Sequence, residues 1–201
     1  MSISTYAELQ TAVAGWLHRG DLTAIIPDLI MVGEKYLFRH ARTRDMESTL
    51  NVTIASGVAA LPADYVELKH AYIDGTPVAP LQRKASDWVY LRYPTRSAES
   101  KPLFIARDGS NFVFGPYPDS GYTVKGIYYG RLASIQTSAN ALFTANPDLY
   151  LFAALAESAP YLMNDNRVAL WMSKRDQILN DVNGEDGRET MSGGPLAMVA
   201  M

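Results

Sequence analysis

Residues 149–156, LYLFAALA, are apolar at every position, and no other stretch limits the fold so tightly. A helix that is apolar on all sides must be buried on all sides. The residues before it read as a helix start. Asn146 can cap, Pro147 suits the first helical position, and Asp148 faces the positive end of the helix dipole. Only Glu157 and Ser158 interrupt the apolar character before Met163, and Pro160 should kink or stop the helix. The run is too short and too broken to span a bilayer. After a turn at Asn164-Asp165, Val168, Trp171, Met172, Arg175, Ile178, Leu179 and Val182 recur at helical spacing. Lys174, Gln177 and Asp181 lie on the opposite, wet face. Residues 144–183 thus read as a packed helical pair in need of partners.

The partners are found at the other end of the chain. Thr5 and Glu8 form a capping-box pattern, and Tyr6, Leu9, Val13, Trp16 and Leu17 follow as one stripe to about His18. Gly20-Asp21 breaks that helix. Pro27 opens a second one to about Arg42, with Ile26, Leu29, Ile30, Gly33 and Leu37 inward. Arg39, His40, Arg42 and Arg44 crowd its C-terminal end. There they either complement the helix dipole or meet a phosphate or partner carboxylate.

From Leu50 the pattern changes to alternation, in short segments bounded by turn residues. Strands are expected at 50–55, 58–61, 66–73, 78–81, 103–105, 112–114 and 122–128, with a helical turn at 86–90. Residues 107–110 make the clearest hairpin turn, and residues 131–145 read as an irregular connection. The expected fold class is α+β: a bundle of the N- and C-terminal helices plus a central antiparallel β-sandwich or barrel-like domain. The expected divisions are 1–45, 46–131, 132–183 and a flexible, glycine-rich tail at 184–201.

A chain of 201 residues buries roughly 70% of its unfolded surface, so no staple is needed. Without cysteine there are no disulfides and no thiolate metal ligands. No secretory signal pattern opens the chain. A net charge of −3 argues against a strongly basic DNA-binding surface. Twelve tyrosines suit strands and interfaces better than a hydrolytic centre. No phosphate-binding glycine loop, dinucleotide fingerprint, zinc-helix motif or nucleophile elbow occurs. His18, His40 and His70 fall in three different elements. The sequence from Asp181 starts like a calcium loop but has Asp186 at the glycine position and Ser192 at the bidentate position. Asp64 with Glu67, or Asp108 with Asp119, are the only acid–base pairings to weigh, and both sit among turn residues. Trp88, Tyr90 and Tyr93 could stack on sugars or bases, or pack internally. The sequence therefore assigns no catalytic, cofactor or metal residues.

Four stretches carry a resemblance: ISTYAELQTAVAGWLHRGDLTAIIPDLIMVGE, ALPADYVELKHAYIDGTPVAPLQ, FVFGPYPDSGYTVKGIYYGRL and NPDLYLFAALAESAPYLMNDNRVALW. In this order and spacing they resemble the head-to-tail adaptor proteins of tailed bacteriophages, over residues 3–182. The resemblance implies a structural virion protein and not an enzyme. It implies a ring, dodecameric in such families, that docks under the portal protein, meets a tail or nozzle protein below, and passes DNA without specific binding or membrane contact. Such adaptors can extend a C-terminal segment along the portal, which would make Leu196, Met198 and Met201 the anchors of an apolar end. The alternatives are a carbohydrate-binding or other β-sandwich recognition module using residues 88–93, and a small hydrolase using Asp64 or Glu67.

Overall fold

The computed structural model describes residues 3–95, 99–162 and 165–192, with residues 186–192 described by their backbone. The chain divides into two compact units, one of residues 1–45 with 132–201 and one of residues 46–131.

The first unit is helical. Helix α1, Tyr6–Leu17, carries the expected capping box: Thr5 Oγ1 accepts the Glu8 N–H at 3.2 Å, and Glu8 Oε2 accepts the Thr5 N–H at 3.1 Å. Leu9, Val13 and Leu17 are buried as the stripe requires. Trp16 departs from it: 47% exposed, it sits at the rim, edge-on to Phe152 at 5.6 Å between ring centroids. Helix α2, Ile26–His40, has Pro27 in its first turn and buries Ile26, Leu29, Ile30, Gly33 and Leu37. It also buries Glu34, which the apolar pattern passes over. The Glu34 carboxylate accepts Ser134 Oγ at 2.6 Å and the Ile135 N–H at 2.8 Å.

Those bonds help fix residues 131–145, which are more ordered than their weak periodicity implies. Asn140 Nδ2 donates to the Ala133 carbonyl, and Asn140 Oδ1 accepts the Phe143 N–H and the Tyr150 hydroxyl. Asn140 thereby caps α4, Ala141–Ala145, a short helix the sequence reading left out. Asn146 precedes α5, Pro147–Ala156, without a side-chain cap; Asp148 Oδ1 accepts the Leu149 N–H instead. Helix α5 stops before Pro160, which lies in a 3-10 turn, Ala159–Tyr161.

All-round burial of α5 is what its composition demands. It packs against α1, α2 and α6, Arg167–Ser192. Gly33 supplies the closest approach: a Cβ there would lie 2.9 Å from the Ala153 carbonyl carbon. On α6, Val168, Trp171, Arg175 and Leu179 are buried, while Met172 turns outward. The sequence reading ended this helix at Asn183 and made 184–201 a flexible tail, but the helix continues through Gly184 to Ser192. Gly184 and Gly187 cost the helix only about 1 kcal/mol each, too little to stop it.

Arg175 is held by aromatic and polar partners. Its guanidinium carbon lies 3.8 Å from the Tyr36 ring centroid, and its Nε donates to Asp176 Oδ1 at 2.8 Å. The Tyr36 hydroxyl donates to the same oxygen at 3.2 Å. The Arg175 bond above all holds the Asp176 carboxyl below its ordinary value of 3.8. A depressed carboxyl stabilises the fold above its unfolded value, and that contribution is lost as pH falls through the folded value. Asp176→Asn should therefore lower the urea midpoint at neutral pH, by a modest amount because the side chain is half exposed. The gap to wild type should close as pH falls through the ordinary carboxyl range and below it. A gap independent of pH would show that Asp176 does not act through its charge.

The second unit is a seven-stranded, nearly closed, barrel-like sheet. Its strands are β1 Glu47–Thr53, β2 Val58–Ala60, β3 Tyr65–Ile73, β4 Ala79–Arg83, β5 Phe104–Asp108, β6 Asn111–Gly115 and β7 Thr123–Gly130. The order is β1-β7-β3-β4-β5-β6-β2. The outer strands β1 and β2 are joined by a tight turn and touch, which brings the two edges together. The expected antiparallel pairing holds except for β4 and β5, which are parallel through Gln82 and Arg83. Leu50, Leu68, Ile73, Ile105, Phe112, Phe114, Val124 and Tyr128 fill the interior. A short helix α3, Ser86–Arg92, lays Val89 on Ala106 and Val113. The β5–β6 hairpin turns at Gly109, where φ is +57° and glycine avoids the left-handed penalty.

Candidate functional site

Three surfaces gather exposed apolar or charged side chains. The first lies on the helical unit, where the end of α1 meets the start of α6. Trp16, Leu170 and Trp171 border a hollow of about 320 Å³, and Tyr161 borders a neighbouring hollow of about 590 Å³ with Leu17, Arg19 and Arg167. Leu170 is 58% exposed and Tyr161 44%. Arg167 ties the surface together: it pairs with Asp165 at 2.6 Å, lies 5.2 Å from the Trp171 ring and donates to the Trp16 carbonyl at 3.4 Å. Large apolar side chains bordered by a fixed cation suit a protein neighbour better than a small substrate.

The second surface is the C-terminal end of α2. Arg42 Nη1 donates to the Arg39 and Ala41 carbonyls, and the Arg42 backbone N–H donates to Asn183 Oδ1 at 2.9 Å. Asn183 Nδ2 returns a bond to the His40 carbonyl. The Arg42 side chain thus serves the helix end, as dipole complementation anticipates. Arg39 and Arg44 are exposed beside it. The expected anchors Leu196, Met198 and Met201 lie outside the described residues.

The third surface is a cleft of about 320 Å³ in the sheet, lined by Tyr65, Leu68, Arg83, Lys84, Ile105 and Arg107 among others. The sequence reading missed it. Arg83 and Lys84 are adjacent in the chain, but their meeting with Arg107 depends on the β4–β5 pairing.

The residues weighed for chemistry have other partners. Asp64 Oδ1 accepts the Tyr128 hydroxyl at 2.9 Å, and Glu67 takes Arg83 at 3.0 Å. Asp108 accepts from Tyr90 at 2.6 Å and Asp119 from Tyr122 at 2.7 Å, so the two carboxylates serve separate tyrosines. Trp88 meets Phe104 edge-on at 4.7 Å, and Tyr93 packs against the Val89 cluster. His18 ends α1 with φ +52°, His40 stacks on Tyr36, and His70 sits at a bulge in β3. Among the described residues, no group of three or more His, Cys, Asp or Glu could hold a metal ion. No described helix is long and apolar enough to cross a membrane.

Surfaces of this kind, on a helical unit and on a barrel-like unit, suit a protein that binds other proteins. A family model described as SU10 adaptor protein matches residues 4–199, and the chain belongs to that family. It is thus a bacteriophage structural adaptor and a virion component, consistent with the head-to-tail resemblance in its sequence. No curated protein matches it.

Proposed function

We propose that the protein is a head-to-tail adaptor that assembles as a dodecameric ring, joins the portal protein to a tail or nozzle protein, and continues the DNA channel. The family match over residues 4–199 carries this reading. The exposed Trp16, Tyr161 and Leu170 support it, because a lone subunit leaves them wet. In this reading the two chain ends form one helical bundle. Arg39 and Arg44 face a partner carboxylate beside Arg42, whose guanidinium holds the end of α2, and Leu196, Met198 and Met201 dock on the portal or on a neighbouring subunit. With 18 basic and 21 acidic side chains, the ring lets DNA slide without gripping it. The test is the mass of the full chain in solution, alone and mixed with portal protein. A ring-sized species that joins the portal is expected, and a small discrete species under both conditions would overturn the assignment.

A further inference from the structure

The sheet contains a strand position that is only half filled. Strand β4 lies between β3 and β5 but is shorter than the gap it occupies. It pairs with β3 only at Ala71, Tyr72 and Ile73, and with β5 only through Gln82 and Arg83. The last ladder bond on the β5 side runs from the Lys84 N–H to the Ile105 carbonyl, after which the chain turns into α3. Strand β3 continues back to Tyr65 and β5 continues on to Asp108. Among the described residues, no strand pairs with either continuation on the β4 side.

The cleft of about 320 Å³ occupies that place. Its floor includes Leu68, Ile105 and Phe112, all buried. Arg83, Lys84 and Arg107 line it, and Glu67 pairs with Arg83 just outside the lining. That is a local excess of positive charge in a chain whose net charge is −3. Each cation is positioned by a neighbour. Arg83 bridges Glu67 and the Leu68 carbonyl, Lys84 Nζ lies 5.3 Å from the Trp88 ring, and Arg107 Nε donates to the Gly109 carbonyl beside the Tyr65 ring.

An apolar floor, two strand edges and a cationic rim match one kind of ligand. We propose that the cleft receives an extended acidic segment of another protein chain, which adds a strand antiparallel to β3 and parallel to β5 where β4 runs out. Main-chain bonds to the strand edges supply affinity, with the incoming strand taking over the Leu68 carbonyl that Arg83 now caps; alternate apolar side chains enter the floor, and the outward carboxylates meet Lys84, Arg107 and the Arg83 guanidinium so released. Double-stranded DNA fits less well. It is far wider than one strand position, about 5 Å from each neighbour, and offers no amides or carbonyls to the edges. The proposal is independent of ring number and of portal binding.

The test is fluorescence anisotropy on the full chain, with a labelled peptide of alternating Glu and Val as probe. It should bind, and more weakly as salt rises. A Lys–Val peptide should not bind, and the Glu–Val peptide methylated at alternate backbone amides should bind much more weakly. Arg83→Glu with Arg107→Glu should weaken binding by at least about tenfold while circular dichroism shows the protein still folded at the assay temperature. Should that variant fail to fold, the methylated peptide on the wild-type protein decides. No binding of the Glu–Val peptide, equal binding of the Lys–Val peptide, or indifference to amide methylation overturns the proposal. Displacement of the peptide by a DNA duplex acting through the same two arginines also overturns it, in favour of a phosphate-backbone site.

Discussion

Leu155→Asp should unfold the helical unit at neutral pH. Leu155 is 0% exposed on a helix packed against α1, α2 and α6. Removing the leucine alone costs about 2–5 kcal/mol. Burying the new carboxylate adds a desolvation penalty of several kcal/mol unless it picks up a proton. The sum reaches most of the roughly 5–15 kcal/mol that holds a domain together. Far-UV circular dichroism should show the loss of helix. Leu155→Met, nearly equal in volume, should cost less than about 1.5 kcal/mol. The sign of the pH effect is a further check. The introduced carboxyl would have a raised value in the folded state, so the deficit against wild type should shrink as pH falls below that value toward the ordinary carboxyl range. A melting temperature within a degree or two of wild type at neutral pH would mean that α5 is not the centre of its unit.

Local rules carried the sequence reading a long way. The Thr5 and Glu8 capping box, Pro27 at the head of α2, the apolar α5 and the hairpin at Gly109 each rest on residues a few positions apart, and each is found in the structure. What was hidden depends on residues far apart in the chain. Glu34 looks like a solvated position in α2 until Ser134 and Ile135 are brought onto it. The parallel β4–β5 pair, and with it the cationic cleft, arises only when Arg83 and Ile105 come into register. A glycine in a helix reads as a weak point, yet Gly33 is where two helices come closest. The end of α6 was misjudged for a related reason. Gly184 and Gly187 suggested a break, but their combined cost is small beside a helix already anchored by Trp171, Arg175 and Leu179. The candidate site was less legible than the fold, because an interaction surface has no motif comparable to a catalytic or metal-binding pattern.

Gly126→Val should disrupt the β unit, although strand propensity alone predicts the reverse. Valine is favoured over glycine in strands by up to about 1 kcal/mol. Gly126 lies in β7, which pairs with β1 on one side and β3 on the other. Opposite it stands Ala71, just past the bulge of β3 between Leu68 and His70. A Cβ at Gly126 would lie 2.2 Å from the His70 carbonyl oxygen and 2.8 Å from the Ala71 Cα. Both obstacles are backbone, so no rotamer change relieves them. The β3–β7 pairing must part or the bulge must be rebuilt, at a cost of about 3 kcal/mol or more. Because the first carbon makes the clash, Gly126→Ala should cost most of what Gly126→Val costs. If propensity or lost flexibility governed the site, alanine would be close to neutral and valine stabilising. Gly121→Ala is the control, since its Cβ would meet the Ile54 carbonyl at 3.5 Å, an ordinary contact, and should shift stability by no more than about 0.5 kcal/mol. Urea unfolding of the three variants beside wild type separates the two accounts, and a stable Gly126→Val protein would show that β3 does not press on β7 at the bulge.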